Sequence, residues 1–142
     1  MMKHQYHKDG TLPKPDNKTV FVFGSNLAGI HGAGAALVAH LNYNYPYGVA
    51  CGFNTTNPNK LKAYGIATKD TRVVTHRLED IALFIDVFIS DTKLYPELNF
   101  FVTRVGCGLA GYTDSEIAPL FKSCGTNCSF AEEWKPFLED EV

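Results

Sequence analysis

Two runs of β-branched and aromatic residues, each followed at once by a cluster of glycines, constrain the fold of this chain most strongly. The first run is 19–23 (TVFVF), which ends at Gly24, and the second is 99–105 (NFFVTRV), which ends at Gly106. Neither run alternates regularly with polar residues, and such continuity is typical of a strand buried on both faces, as in a parallel sheet. The chain is therefore predicted to contain parallel strands that end in glycine-rich turns.

Helical patterns separate these strands and complete an alternating order of strands and helices. Small and apolar residues over 33–41 suit a helix that lies close on the sheet, and 63–68 reads as a short strand. Apolar residues then recur at helical spacing from Arg77 until the Tyr95-Pro96 pair. We expect a three-layer α/β/α domain with a mostly parallel or mixed sheet.

Two capping-box spacings predict short helices in the last third of the chain. Thr113 precedes Glu116, and Ser129 precedes Glu132, each pair just ahead of apolar residues. The polar, turn-prone stretch 48–62 is instead expected to form a surface loop.

The length of 142 residues, with 45% hydrophobic and 20% charged residues, fits a single globular domain. Residues 1–18 are polar and contain Pro13 and Pro15, which discourage regular structure, so they are expected to form an N-terminal arm. The α/β domain is expected to occupy residues 19–142.

Charge and hydropathy narrow the expected partners and compartment. Lys and Arg number 13 against 15 Asp and Glu, so no basic field favours binding to duplex nucleic acid. The apolar runs fall far short of the roughly 20 residues that a bilayer span needs, and residues 1–10 lack the apolar run of a secretory signal. A cytoplasmic protein is expected, with its four cysteines as reduced thiols.

The position of the glycine clusters indicates a ligand site. Ligands of such sheets bind beyond the carboxyl ends of the strands, where both clusters lie. Glycines let a ligand approach main-chain N–H groups, and a helix that opens after the loop favours an anion at its N-terminus. A diphosphate held from two sides is the expected occupant, although either cluster alone could simply form a tight turn.

Common cofactor and metal motifs are missing from the sequence. The stretch 32–37 breaks the G-x-G-x-x-G pattern, and 106–111 has its glycines but no acidic residue at the distance that a ribose reader requires. The lysine and hydroxyl of a P-loop are also missing, so hydride transfer from a nicotinamide cofactor and nucleoside triphosphate hydrolysis are disfavoured. Cys124 and Cys128 have no second pair at zinc-site spacing. No cofactor and no metal are expected.

Three segments carry a resemblance to a known family: 21–36 (FVFGSNLAGIHGAGAA), 64–69 (YGIATK) and 103–112 (TRVGCGLAGY). They look like an uncharacterised family that is common in bacteriophage and bacterial genomes. In order and spacing this family resembles the macro domain, the module that binds ADP-ribose and sometimes hydrolyses its derivatives. The likeness extends over 19–123 and implies a macro-domain-like α/β fold with a small-molecule nucleotide as partner.

The resemblance also implies which residues form the site. Asn26 matches the asparagine that macro domains place at the distal ribose, and 106–111 matches the loop that wraps the diphosphate. The candidate ligand-binding residues are therefore Gly24, Ser25, Asn26, Gly32, Ala33, Gly34, Gly106, Cys107, Gly108, Leu109, Ala110, Gly111 and Tyr112.

Asn26, His31 and Asp70 are the candidate catalytic residues. His31 flanks the first glycine cluster, where a neutral imidazole can bind a ribose hydroxyl or act as a general base. Asp70 follows a predicted strand and could orient a water, while its neighbour Lys69 could face a phosphate. Each has a structural alternative, because Asn26 can close a turn, His31 can be an ordinary loop residue, and Asp70 can lie in a solvated turn.

Two further residues have alternative roles. Arg104 lies in an otherwise apolar strand, so its guanidinium needs either a carboxylate partner or an anion. Cys107 is expected to be a small loop residue rather than a nucleophile, because no histidine base lies near it in the sequence.

The sequence therefore predicts a domain that binds ADP-ribose or a related NAD-derived nucleotide through two glycine loops. Hydrolysis of a terminal phosphate or of an ADP-ribosyl link is the expected activity if the protein is an enzyme. In a phage, family context implies that it would act on an ADP-ribosyl signal of the host. The alternatives are a nucleotide-binding module without turnover and a protein-interaction module whose glycine loops are only turns.

Overall fold

A six-stranded sheet forms the centre of the described structure, which covers residues 4–14 and 16–139 of a computed structural model. Its strands are β1 (Gln5–His7), β2 (Thr19–Asn26), β3 (Gly52–Phe53), β4 (Ala63–Lys69), β5 (Asn99–Val102) and β6 (Cys128–Ala131). They run in the order β1-β6-β5-β2-β4-β3. Every neighbouring pair is parallel except β3 and β4, which are antiparallel.

The helices are α1 (Gly34–Asn42), α2 (Leu78–Leu94), α3 (Asp114–Ile117) and α4 (Lys135–Leu138), with two short 3₁₀ turns at Ala118–Phe121 and Glu132–Trp134. The bounds of α1 and α2 agree with the predicted helices to within about two residues, which is the usual uncertainty of helix ends. No helix in the described ranges is long and apolar enough to cross a membrane.

The central strand β2 is buried on both faces because its side chains alternate between two apolar clusters. Val20 and Val22 face the larger cluster, to which α2 contributes, whereas Phe21 and Phe23 pack with Ala39 of α1. Helices therefore cover both faces of the sheet. The predicted three-layer α/β/α architecture with a mixed, mostly parallel sheet is confirmed.

The pairing of β2, β4 and β5 brings their carboxyl ends to one edge of the sheet. Val22 of β2 pairs with Val102 at the end of β5, and Asn26 pairs with Lys69 at the end of β4. β5 ends three residues earlier than the predicted strand, so 103–105 already belongs to the loop that follows it. This edge positions the candidate site.

Two predictions about loops are corrected by sheet pairing. The expected N-terminal arm contains a strand, because Gln5–His7 pairs in parallel with β6 at the edge of the sheet. The expected surface loop 48–62 contains Gly52–Phe53, which pairs with β4. Both strands are short, and their partners are distant in sequence, so no local pattern marks them.

The two predicted capping boxes have different outcomes. The Thr113 box is confirmed, since the backbone N–H of Thr113 donates to the Glu116 carboxylate at 3.0 Å. The helix that follows is only four residues long and then narrows to a 3₁₀ turn. The Ser129 box is wrong, because Ser129 lies inside strand β6 and pairs with Phe101.

Candidate functional site

A cleft of about 370 Å³ opens at the carboxyl ends of β2, β4 and β5. It is lined by Gly24, Ser25, Asn26, Ile30, Gly32, Ala33, Gly34, Ala35, Ala36, Thr68, Lys69, Val73, Thr103, Arg104, Val105, Gly106, Gly108, Leu109 and Ala110. Ten of the thirteen predicted ligand-binding residues are in this set, all except Cys107, Gly111 and Tyr112.

The first glycine loop (24–34) and the second glycine loop (106–111) lie on either side of this cleft. A Cβ placed on Gly24, at the end of β2, would lie 3.6 Å from the backbone nitrogen of Gly106. A Cβ on Gly34 would lie 4.0 Å from Cδ1 of Leu109, which leans across from the second loop. The two predicted glycine clusters therefore form the opposite walls of one cavity.

The N-terminus of α1 opens into the cleft at Gly34–Ala36. The first turn of α1 carries no acidic residue, and the N-cap Ala33 has no side-chain hydrogen bond to offer, so the first amides and the positive end of the helix dipole face the cavity. The helix after the second loop was expected to favour an anion in the same way, but it does not. This short helix, α3, has Asp114 and Glu116 in the first turn and supplies no comparable positive end.

Lys69 and Arg104 are the ionisable side chains in the described lining, and both are cationic. Arg104 is already paired, because its Nε and Nη2 donate to the Asp114 carboxylate at 2.9 and 2.7 Å and its Nη1 donates to Asp9 at 3.3 Å. The Arg104 guanidinium holds the pKa of the Asp114 carboxyl below its ordinary value. Of the two alternatives for Arg104, the structure shows the carboxylate partner, and Lys69 is left as the cation to which no carboxylate among the described residues is bound in the cleft.

The Asn26 amide lies at the cleft but is used within the first glycine loop. Its Nδ2 donates to the Ile30 carbonyl at 2.8 Å, and its Oδ1 accepts the Ile30 N–H at 3.1 Å. The amide therefore closes the 26–30 turn, which is the structural alternative for this residue. These contacts shape the loop, and the role of Asn26 at a distal ribose stays a prediction.

His31 is fully buried behind the first glycine loop and does not line the cleft. Its Nε2 lies 3.1 Å from the Pro46 carbonyl, and its ring packs against Phe23, Tyr45 and Tyr47. Burial lowers the pKa of this imidazole below 6.5. The structure does not bring His31 to the cleft, because the apolar ring cluster holds the imidazole on the far side of the loop.

Asp70 also lies outside the cleft lining, because its carboxylate closes a turn at the end of β4. Its Oδ1 accepts the backbone N–H groups of Arg72 at 2.8 Å and Val74 at 3.0 Å. These hydrogen bonds lower the pKa of the Asp70 carboxyl, as expected for an anion held by backbone donors. The structure therefore shows a structural role for Asp70, and its role in orienting a water stays a prediction.

Cys107 and Tyr112 of the predicted site do not line the cleft, and Cys107 lines the second pocket described below. Burial raises the pKa of the Cys107 thiol to about 12, so it is protonated near neutral pH and unsuited to act as a nucleophile. The Tyr112 hydroxyl donates to the His76 carbonyl. Gly111, the last residue of the second glycine loop, also lies outside the lining of the cleft.

The segment 69–76 adds a third wall to the cleft, of which the sequence pointed to Lys69 but not to Val73. Lys69 and Val73 of this segment line the cavity. Val73 has a φ of +61°, a left-handed conformation that is strongly disfavoured for a β-branched residue and costs about 1–3 kcal/mol. The only sequence signal was the Lys69-Asp70 pair at the end of a strand, and it carries no indication of strain.

A second pocket of about 320 Å³ adjoins the cleft. Ala35, Thr103, Arg104 and Gly108 line both cavities. The second pocket has aromatic walls, since Phe21 and Phe101 line it and the His7 ring stacks on Phe101 at a centroid distance of 3.7 Å. Burial lowers the pKa of His7 to about 4, so its ring is neutral near neutral pH.

Asp9 places a carboxylate in this second pocket beside Arg104. It belongs to the expected N-terminal arm, whose pairing with β6 carries residues 7–12 over the sheet. Sequence analysis therefore missed both Asp9 and the pocket. The two cavities adjoin at their four shared residues, and the cleft is lined largely by backbone whereas the second pocket has aromatic walls.

Comparisons with known proteins bear on the fold. Neither protein-family models nor curated proteins give a match. A solved protein of unknown function from Bacteroides thetaiotaomicron superposes with a TM-score of 0.68 at 18% identity, covering 92% of this chain and 98% of that one. The macrodomain of Mycobacterium tuberculosis DarG superposes with a TM-score of 0.67 at 17% identity, covering 90% and 96%.

A third solved structure contains a ligand. Thermosipho africanus DarTG in complex with ADP-ribose superposes with a TM-score of 0.57 at 14% identity, covering 89% of this chain and 40% of that one. At these identities the likeness concerns the backbone fold. The protein therefore has a macro-domain-like fold.

Proposed function

We propose that the cleft binds ADP-ribose or a closely related NAD-derived nucleotide through its diphosphate. The observation that carries this proposal is the composition of the cleft. Two glycine loops and the uncapped N-terminus of α1 surround it, Lys69 supplies a positive charge, and no carboxylate lines it within the described residues. Main-chain N–H groups and a cation without competing anions suit a diphosphate. The ADP-ribose in the similar DarTG structure supports the same ligand class.

The second pocket is suited to the base. Its aromatic walls, Phe21 and the Phe101–His7 stack, can pack against a planar ring, and the Asp9 carboxylate can accept a hydrogen bond from an exocyclic amine. The four residues shared by the two cavities lie between the proposed base and the proposed diphosphate. An adenine in the second pocket then directs the diphosphate into the cleft.

Binding without side-chain acid–base catalysis is the form of this function that the geometry favours. A general base must lie within hydrogen-bond reach of the proton that it removes. The side chains of His31 and Asp70 lie outside the cleft, and the Asn26 amide is engaged with Ile30. The proposed hydrolase activity therefore has no assembled side-chain base in the described lining.

Calorimetry with ADP-ribose, ADP, NAD and adenosine tests the binding proposal, together with thermal stabilisation by each ligand. We expect ADP-ribose and ADP to bind and adenosine, which lacks phosphates, to bind much more weakly. No heat and no stabilisation by any of the four would overturn the proposal and favour the protein-interaction alternative.

Gly108→Val is the matched test of the cleft. Gly108 lines the cleft, and a Cβ there would meet no atom within 4 Å and require no positive φ, so the variant should fold normally. Its side chain would fill the space of the diphosphate, and ADP-ribose binding should be lost. Gly125→Ala, at a glycine outside both cavities, is the control and should bind as the wild type does.

A time course separates binding from hydrolysis. The substrates are ADP-ribose 1″-phosphate and an ADP-ribosylated protein, and Gly108→Val gives the background rate. We expect product formation by the wild type to equal that background. A wild-type rate of product formation above this background would show turnover and favour hydrolysis over binding alone.

A further inference from the structure

The two adjoining cavities define the order in which the parts of a bound nucleotide would lie along the site. If the base occupies the second pocket, as proposed above, the diphosphate lies near the shared residues Ala35 and Gly108. The group beyond the diphosphate must then reach the opposite end of the cleft. Lys69, Val73 and Ile30 lie in the part of the lining that the second pocket does not share.

Val73 lies in this unshared part of the lining in a conformation that its own side chain disfavours. Its φ is +61°, and the residue is 41% exposed. The Val73 N–H donates to the Asp70 carbonyl at 3.0 Å, while the Asp70 N–H donates to the Val74 carbonyl at 2.9 Å. With the two backbone N–H groups that the Asp70 carboxylate accepts, these hydrogen bonds leave the turn little freedom to relax. Strain retained by surrounding contacts is characteristic of functional positions.

The turn is also tied to the second glycine loop. The Thr75 hydroxyl donates to the Ala110 carbonyl at 3.3 Å, and the Tyr112 hydroxyl donates to the His76 carbonyl. On the other side, the His76 N–H donates to the Thr68 carbonyl at 2.8 Å, which ties the segment to β4. The segment that carries Val73 is therefore tied to both the strand edge and the second loop.

We propose that Val73 is a specificity-determining residue that packs against the sugar beyond the diphosphate, and that Asp70 is the positioning residue that holds it there. This inference rests on the proposed function. The isopropyl group offers an apolar surface to the C–H face of a ribose. ADP-ribose carries this second sugar, and ADP lacks it, so Val73 should contribute to the affinity for the former alone.

The test measures the ratio of the ADP-ribose affinity to the ADP affinity in four variants. Val73→Gly removes the side chain and suits a positive φ, so its thermal midpoint should not fall. We expect it to bind ADP-ribose about five- to tenfold more weakly with little change for ADP, a size typical of losing one apolar contact. Val74→Gly is the matched control, since Val74 is the exposed neighbour outside the cleft, and its ratio should match that of the wild type.

Asp70 supplies the second arm of the test. Asp70→Ala removes the acceptor of two backbone N–H groups and should lower the same ratio. Asp70→Asn keeps an oxygen acceptor and should restore it. A ratio unchanged in both Val73→Gly and Asp70→Ala, with ADP-ribose still bound by the wild type, would overturn this inference and leave the proposed function standing. A wild-type protein that binds ADP but not ADP-ribose would overturn the inference, and failure to bind either would overturn both.

Discussion

Arg104 and Asp114 form a two-point ion pair at the base of the second glycine loop. Nε and Nη2 of the guanidinium donate to the two carboxylate oxygens at 2.9 and 2.7 Å, and the Trp134 indole N–H donates to the same carboxylate at 2.7 Å. The pair links the segment after β5 to the start of α3 and to the C-terminal 3₁₀ turn. It therefore stabilises the loop and leaves Lys69 to meet an anion in the cleft.

Loss of this ion pair should destabilise the fold and change its pH dependence. Asp114→Asn should lower the free energy of unfolding by about 1–3 kcal/mol, since a partly buried guanidinium loses the nearer of its two charged partners and keeps only Asp9. The pKa of Asp114 is depressed in the folded state, so its stabilisation is present above the ordinary value of 3.8 and is lost as pH falls below that value.

Urea unfolding at several pH values measures both effects. The decline in stability of the wild type at acid pH should be shallower in Asp114→Asn. Asp86→Ala, at an exposed carboxylate on α2, is the control and should change stability by no more than about 0.5 kcal/mol. Equal stability of Asp114→Asn and the wild type at neutral pH would contradict the prediction.

Replacement of Lys69 should weaken nucleotide binding without affecting stability. Lys69→Gln removes the cation that is not bound to a carboxylate in the cleft, and we expect the affinity for ADP-ribose to fall about three- to tenfold. Added salt should weaken binding by the wild type more than by the variant, because salt screens the charge that the variant lacks. Calorimetry in low and high salt measures this, with Lys60→Gln, an exposed lysine outside the cleft, as the control.

His31 should make the fold sensitive to mild acid. Its pKa is lowered by burial, so the folded state favours the neutral imidazole. The resulting stabilisation is present above the ordinary pKa of 6.5 and decreases as pH falls below it. The thermal midpoint of the wild type should therefore fall between about pH 7.5 and about pH 5.

His31→Gln keeps a donor for the Pro46 carbonyl but does not titrate, so its midpoint should fall less over the same pH range. His7, whose pKa is lowered to about 4, contributes a decline of the same sign and should leave part of the effect in the variant. His40→Gln, at the histidine whose ring lies beside that of His31, is the control variant for the thermal midpoint. A variant with the full decline of the wild type would assign the effect to groups other than His31.

Gly106 should not tolerate a side chain. Its φ is +78°, and a Cβ there would lie 3.0 Å from Cδ1 of Ile117. Gly106→Ala should lower the free energy of unfolding by about 1–3 kcal/mol. Gly108→Ala, with open space around the new methyl group, should stay within about 0.5 kcal/mol of the wild type. Chemical denaturation of the two variants side by side distinguishes strain from a general effect of adding a methyl group.

The strands and helices with strong local patterns were predictable from the sequence. The continuous apolar run of β2 and the helical spacing of α2 reflect burial that each residue experiences within its own element. The strands β1, β3 and β6 were missed because they are only two to four residues long and owe their conformation to neighbours elsewhere in the chain.

The location of the cleft was predictable from the backbone pattern, whereas the contacts of its side chains were not. Glycine clusters after buried strands locate a cleft because parallel strands end at one edge of a sheet. The orientation of His31 was not encoded in its neighbourhood, since the rings of Tyr45 and Tyr47 that bury it are more than ten residues away. The same holds for Arg104, whose choice between a ligand and Asp114 depends on where α3 begins.

The sequence by itself determined the alternation of strands and helices, the two glycine loops and the edge of the sheet at which they lie, because these follow from hydrophobic periodicity and from the order of elements along the chain. Tertiary structure alone decided that Asp9 reaches the second pocket, that Val73 is held in a left-handed conformation, and that Lys69 has no carboxylate bound beside it in the cleft. Each of these depends on packing and hydrogen bonds between segments that are distant in sequence. Such contacts produce no periodic pattern of residues from which they could be predicted.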